Sequence, residues 1–308
     1  MKKYFLATLL LALLPVSSSK VSAIAWSDPD IVSTTPRSVV SIHMIFHKGA
    51  KPSQINTYCS GTLIAPQWVL TASHCIADYA AWKYTVVTGL GTKSQTEYKV
   101  SKYYVPSQVD LRDTYDAAFD GYDIALLKLS SPVKYAKPAT VRKFKSVLAF
   151  TGSLTVYGFG LDQNDEFPGV VGARKVKFVQ DFSEYPAYVN PKNSRSLGAY
   201  SSREVIGTRC EEYSTTLSAP PTNSEANQDD EYTSIGVSQV TCRSINSTVI
   251  DGGACSGDSG GPILGNLNGT NYVLAVVSYG SHCADPFPTI YMKVNSFVSW
   301  IKATMANN

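Results

Sequence analysis

The run Cys255-Ser256-Gly257-Asp258-Ser259-Gly260-Gly261-Pro262 flanks Ser259 with three glycines and an aspartate. Glycine lets a backbone turn tightly and approach a bound molecule closely. In such a loop the N–H groups of Gly257 and Ser259 can converge beside the Ser259 hydroxyl, which is the arrangement an acyl-transfer oxyanion needs. A serine alone is a weak nucleophile, so this reading requires a base and an orienting acid elsewhere in the chain.

Both are available upstream. The chain has four histidines. His43 and His47 lie in a strand-like segment near the N-terminus, and His282 follows the serine. Only His74, in Trp68-Val69-Leu70-Thr71-Ala72-Ser73-His74-Cys75, follows a short apolar strand and adjoins a cysteine that can pin it. The acid candidate is Asp123, in Tyr122-Asp123-Ile124-Ala125-Leu126-Leu127-Lys128-Leu129, at the mouth of an apolar strand. There a carboxylate can fix the imidazole tautomer and stabilise the imidazolium. Asp110, Asp113, Asp116 and Asp120 are rivals in a polar loop. Singly, a histidine beside a cysteine or an aspartate before an apolar run is commonly structural. The glycine-framed serine gives the set its weight.

These segments resemble a trypsin-like serine protease of the chymotrypsin family. The resemblance is carried by Cys59-Ser60-Gly61-Thr62-Leu63-Ile64, Leu70 to Cys75, Asp123 to Leu127, Gly257 to Pro262, Val277-Ser278-Tyr279-Gly280 and Val298-Ser299-Trp300-Ile301-Lys302. They keep the order His, Asp, Ser from about residue 31 to the C-terminus. Gly257-x-Ser259-x-Gly261 also fits the nucleophile elbow of α/β-hydrolases, but that fold orders its triad Ser, Asp, His and needs a βαβ context absent here.

The strand pattern is independent of that resemblance. Ser38 to Phe46, Thr62 to Ile64, Trp68 to Thr71, Tyr84 to Thr88, Ile124 to Leu129, Ser153 to Tyr157, Lys175 to Val179, Val273 to Ser278 and Thr289 to Val294 read as short strands between Gly and Pro punctuation. No repeat or α/β alternation appears, so the class is all-β, of barrel type. The tail predicts a helix capped by Asn295 or Ser296, with Val298, Ile301 and Met305 on one face. The resemblance implies two six-stranded antiparallel β-barrels, about 31–145 and 146–308, with the C-terminal helix and a cleft site between the barrels.

Met1-Lys2-Lys3 followed by the apolar run Phe5 to Val16 reads as a signal peptide, placed at residues 1–25. Val21-Ser22-Ala23 and Ala23-Ile24-Ala25 are both small-x-small cleavage patterns. The apolar run is too short to span a bilayer, and no later one reaches about 18 residues. An exported protein is expected, extracellular or periplasmic, with no membrane span. Charged residues are 17% and the net charge is +3, which gives no argument for nucleic acid. Arg142-Lys143-Phe144-Lys145 and Arg174-Lys175-Val176-Lys177 read as solvated strand faces.

Six cysteines in an exported chain suggest disulfides, in pairings that spacing leaves open. The resemblance implies Cys59–Cys75, Cys210–Cys242 and Cys255–Cys283. A zinc site lacks any C-x-x-C pair, and no metal or cofactor is expected. A calcium loop would need paired acids, and Leu90 to Lys99 offers only Glu97.

The resemblance also implies a primary substrate pocket. Its base falls on Gly253, where pairing a Lys or Arg side chain would need an acid. Ala254 is small, Gly280 leaves the entrance open, and Thr289 narrows the depth. An uncharged, apolar residue of medium or large size before the cut bond is expected, with Asp251 and Asp285 close enough in sequence to overturn this if the local loops are shifted. Ser278 would bond Asp123 and substrate backbone, and Tyr279 would border an apolar subsite. Ser73, where the family has Ala, has no role legible in sequence. Activation would free Ile31, after a five-residue propeptide at 26–30, to pair with Asp258, but the bond Asp30–Ile31 is not of the usual basic type. Leu161 to Arg209 is longer than the family requires, and Glu211 to Tyr232 reads as an exposed polar loop. Asn246-Ser247-Thr248 and Asn268-Gly269-Thr270 fit a glycosylation pattern, which bears only on a eukaryotic secretory route.

The expected partners are protein or peptide substrates and an activating protease, for a monomer. Two alternatives stand beside an active endopeptidase: a silent relative used for binding or adhesion, and a chain held as a zymogen.

Overall fold

The structure, a computed structural model, describes residues 24, 27–45, 57–76, 83–112, 117–118, 120–147, 149–162, 166–178, 195–200, 202–213, 239–250, 254–280 and 289–308. Of 196–200, 202–213 and 239–250 it describes the backbone.

A four-residue helix, α1 (Pro29–Val32), precedes β1 (Val39–Ile45), β2 (Thr57–Ala65), β3 (Trp68–Thr71), β4 (Lys83–Thr88), β5 (Thr96–Tyr104) and β6 (Ala125–Leu129). These six strands close into a barrel in the order β1-β2-β3-β6-β5-β4. Ile42, Leu63, Leu70, Val86, Leu126 and Leu127 fill it and are fully shielded from water. The sequence reading missed β5, whose Glu97, Lys99 and Lys102 give a charged outer face while only Tyr98, Val100 and Tyr104 lean inward. Its alternation is legible, but its apolar positions are too few to stand out.

The second half contributes β7 (Ser153–Gly158), β8 (Gly172–Lys175), β9 (Lys177–Phe178), β10 (Ser196–Tyr200), β13 (Pro262–Leu267), β14 (Thr270–Tyr279) and β15 (Thr289–Lys293). Their order is β8-β7-β13-β14-β15-β10-β9. The two edge strands are consecutive pieces of one segment, broken only at Val176. Counted as one bent strand, Gly172 to Phe178 joins the edges, and the sheet becomes a ring of six. Val156, Ile263, Ala275, Val277 and Tyr291 fill its interior.

Between these strands, β11 (Ser202–Tyr213) and β12 (Gln239–Ile250) form a separate antiparallel hairpin. Cys210 lies directly opposite Cys242 in its register. The polar run expected to be a loop thus begins within β11, and residues 214–238 lie outside the described residues.

The C-terminal helix, α2 (Val298–Ala306), buries Val298 and Ile301 and half-buries Met305, the face expected from the sequence. Its cap differs. Phe297 stands at the N-cap without a side-chain bond. Asn295 instead grips Phe144, accepting its N–H at 2.7 Å and donating to its carbonyl at 3.1 Å. A pairing with a distant peptide replaces the local cap. Among the described residues no helix is long and apolar enough to cross a membrane.

Candidate active site

β3 leads through Ala72 and Ser73 into a 3₁₀ turn at His74–Ile76, which the Cys59–Cys75 disulfide staples back to β2. Asp123 lies two residues before β6, the neighbour of β3 in the barrel. Pairing these strands brings the two side chains together: His74 Nδ1 lies 2.8 Å from Asp123 Oδ2.

Asp123 is wholly buried and accepts four hydrogen bonds. The His74 ring nitrogen and Ser278 Oγ, at 2.6 Å, share Oδ2. The His74 backbone N–H at 3.0 Å and Ser73 Oγ at 2.9 Å share Oδ1. Burial raises the Asp123 pKa, but the His74 charge and the bonds from His74 and Ser278 outweigh it and hold the carboxyl below its usual range. Burial likewise lowers the His74 pKa, but Asp123 outweighs it and leaves the imidazole above its ordinary value. The His74 side chain is 26% exposed, so part of the ring reaches solvent while Nδ1 is bound to Asp123. This geometry fixes one tautomer, with Nδ1 protonated toward Asp123 and Nε2 left to accept a proton.

Ser259, half-buried, stands on a loop held from both barrels. The Ser60 N–H donates to the Ser259 carbonyl at 2.7 Å, and the Gly260 N–H donates to Val277 at 2.9 Å. Gly260 has φ +79°, and a Cβ there would lie 2.0 Å from Thr71 Oγ1. Only glycine lets this loop dock on β2 and β3. Ser60 Oγ also donates to the Gly257 carbonyl at 2.9 Å and accepts the Phe159 N–H at 2.9 Å. The Leu161 N–H holds the Ser256 carbonyl at 2.8 Å. In a planar trans peptide the Gly257 N–H then points the opposite way.

Asp258 lies beneath this loop, fully buried. Its Oδ1 accepts the Gly160 N–H at 2.8 Å and its Oδ2 the Cys255 N–H at 2.8 Å. Burial pushes its pKa up to about 7, and these two bonds only partly offset it. Gly158 makes room for it, since a Cβ there would fall 2.1 Å from Oδ1.

Of the expected pocket residues, Ala254 and Thr289 are buried, Ser278 is buried, Tyr279 is half-buried and Gly280 is exposed. Thr289 sits beside Gly280, with its Oγ1 3.6 Å from where a Cβ at Gly280 would be. Gly253, Asp251 and Asp285 lie outside the described residues. Cys255 is disulfide-bonded. Its expected partner Cys283, like the side chains of Cys210 and Cys242, lies outside them too. Ile31 lies in α1, its N–H donating to the Asp28 carbonyl at 3.1 Å, and is partly buried against the main hydrophobic core.

The rivals fare differently. His43 is buried in β1 against Ser41 Oγ at 2.9 Å, and burial lowers its pKa to about 4. Asp110 is bound by Arg112 at the surface. His47, Asp113, Asp116 and His282 lie outside the described residues. Cys59, His74 and Cys75 are near enough together to suggest a metal, but the disulfide leaves no thiolate to ligate one.

Sequence reasoning gave Ser73 no role, whereas its hydroxyl bonds Asp123. It also missed Ser60 and Arg195. Arg195 donates to the carbonyls of Asp120 at 2.6 Å and Gly121 at 3.1 Å, and lies 4.1 Å over the Tyr122 ring. It clamps the turn that carries Asp123 from a segment with no local signal of such a function.

Comparison with known proteins agrees with this architecture. The chain is 27% identical over 280 residues to Trypsin-4 of Rattus norvegicus, covering 89% of each. It is 26% identical over 266 residues to the venom peptide isomerase heavy chain of Agelenopsis aperta, covering 83% of this chain and 90% of that one. Mouse neuropsin, a serine protease expressed in the limbic system, superposes with a TM-score of 0.58 at 20% identity, over 88% of this chain and 95% of its own. A family model described as Trypsin matches residues 39–204 and 214–301. The chain therefore belongs to the trypsin family, among the trypsin-like serine proteases of the chymotrypsin type.

Proposed function

We propose that this protein is a secreted serine endopeptidase working through an acyl-enzyme. His74 Nε2 takes the Ser259 hydroxyl proton as Oγ attacks the substrate carbonyl, and the imidazolium then passes that proton to the leaving amine. Water enters, His74 deprotonates it, and the acyl-enzyme is hydrolysed. Asp123 orients the ring and stabilises its charged form. The N–H groups of Gly257 and Ser259 receive the oxyanion. The observation that carries this reading is the buried, fourfold hydrogen-bonded Asp123 on His74 Nδ1, an arrangement that a structural carboxylate beside a partly exposed histidine does not need.

Ala254, Gly280 and Thr289, none of which carries a charge, support an uncharged P1 side chain. Signal-peptide removal is part of this reading, and no cofactor enters it. A second reading, a chain held as an inactive precursor, is favoured by Asp258, whose buried carboxylate meets only neutral backbone donors among the described residues.

The test is fluorophosphonate labelling read by intact mass, on wild type and Ser259→Ala. One adduct on wild type alone is expected. Absence from both would sink the hydrolase reading.

A further inference from the structure

The segment 130–147 leads from the first barrel to the second sheet without forming a strand. Its run Arg142-Lys143-Phe144-Lys145 is therefore not the solvated strand face expected from the sequence. The segment is an extended strap sewn to both halves. The Val133 N–H donates to Pro66 at 2.7 Å and the Ala139 N–H to Leu63 at 2.9 Å, both beside the turn between β2 and β3. The Thr140 N–H donates to Asn271 of β14 at 2.8 Å, and the Phe144 N–H to Asn295 Oδ1, after β15, at 2.7 Å. Pro132 and Pro138 lock two further torsions.

This pinning sorts the side chains. Val133, Ala139 and Val147 are buried, and Ala136 and Val141 are partly buried against the core. Phe144 packs edge-on against Phe150 and Tyr272. Lys134, Tyr135, Lys137, Arg142, Lys143 and Lys145 are left exposed, Tyr135 to 81%.

The five cations have no acid to neutralise them. Of the 24 acidic residues none falls in 31–77, 124–161, 259–284 or 286–308. The strap and all four of its anchors lie in those stretches. Among the described residues the ion pairs are His74–Asp123 and Arg112–Asp110, and neither involves the strap. A row of one sign on a fixed backbone concentrates positive potential along a line, which the chain's net charge of +3 does not convey.

We propose that this strap is a docking surface for a linear anionic polysaccharide. Its cations face the sulfate or carboxylate groups, and the Tyr135 ring stacks on a sugar. Charge complementarity selects a linear polyanion. The ring selects a sugar, because a pyranose presents an apolar face between its anionic groups. A nucleic-acid duplex hides its ring faces in its own stack. A single strand calls for a row of rings, one for each base, whereas the strap exposes one. Since the backbone is already fixed, binding has only side chains to order. The surface lies outside the Ser259 site and does not depend on the hydrolase reading.

The test titrates the whole protein with dextran sulfate and with uncharged dextran over a range of salt concentrations. Binding to dextran sulfate alone is expected. Combining Lys134→Gln, Lys137→Gln, Lys143→Gln and Lys145→Gln should weaken it about 100-fold at about 0.2 M salt, and make the slope of log K against log salt shallower by about 3. All four side chains are exposed, so thermal unfolding should stay at the wild-type midpoint. Lys93→Gln, in the turn between β4 and β5, is the control and should change the affinity less than about two-fold. Tyr135→Ala should weaken binding to dextran sulfate and leave any binding to duplex DNA unchanged. A fourfold variant that binds like wild type, or a Lys93→Gln loss equal to that of Lys137→Gln, overturns the surface. Tighter binding to a single-stranded oligonucleotide or to phosphatidylglycerol vesicles at the same salt overturns the polysaccharide as its partner.

Discussion

The amide of Ser60, on a strand of the first barrel, donates to the carbonyl of Ser259 at 2.7 Å. One hydrogen bond thus ties the Ser259 loop to the barrel that carries His74 and Asp123. The same residue's hydroxyl holds Gly257 and Phe159, so Ser60 supports both the loop and the strand end beneath it.

Ser60→Ala keeps the amide and removes the hydroxyl, leaving the buried Phe159 N–H without that acceptor. A loss of about 1–3 kcal/mol in unfolding free energy is expected. Gly260→Ala is expected to be worse, because its Cβ meets Thr71 and the Ser60 carbonyl at 2.0 and 2.4 Å. Denaturant unfolding and labelling rate check both. Wild-type behaviour of Gly260→Ala would show that the docking is looser than described.

The labelling rate is expected to rise with pH through a midpoint above 6.5, because Asp123 outweighs burial and raises the His74 pKa, and attack needs the neutral imidazole. Stability moves oppositely. The charged pair's contribution is fully present below pH 6.5 and is lost as pH rises through the higher folded value. Asp123→Asn should shift the midpoint down and slow labelling by about 10³–10⁴-fold.

Ser73→Ala removes one of the four donors on Asp123. The carboxylate then presents more charge to His74, so the midpoint of the pH profile is expected to move up. The rate at neutral pH should drop about 10-fold, for a lost bond to a charged group of about 1.5 kcal/mol. An unchanged profile would reduce Ser73 to a bystander.

Arg195→Ala should loosen the turn before Asp123. The guanidinium makes two bonds to carbonyls and stacks on Tyr122. Arg195→Lys keeps the charge without the planar fork and should recover only part of the loss. Hydrogen exchange across 120–124 is the direct readout, with faster exchange expected in the order wild type, Lys, Ala.

In the full-length chain, Asp258 keeps its proton on folding up to about pH 7, against 3.8 for the ordinary group. An acid with a raised folded pKa destabilises the fold as pH rises through that window, because the unfolded chain releases its proton first. Unfolding measured from pH 4 to 7 should show this decline, and Asp258→Asn should flatten it.

The sequence by itself determined the family and much of the frame. Ser259 and its glycines announce themselves because few structural turns combine such freedom with a hydroxyl. Apolar alternation marks the buried strands because one or both faces exclude water. It left β5 hidden, since a strand with a charged outer face and a half-buried inner one has a weak signal. It named His74 and Asp123 but gave Ser73 no task, because hydrogen-bond partners fifty positions apart are chosen by strand pairing. The tertiary structure alone decided that Ser60 and Arg195 brace the site, that Gly172 to Phe178 joins the edges of the second sheet, and that Ile24 is buried in the core of the second sheet. Burial and long-range contact set those roles, and neither is a property of a local run of residues.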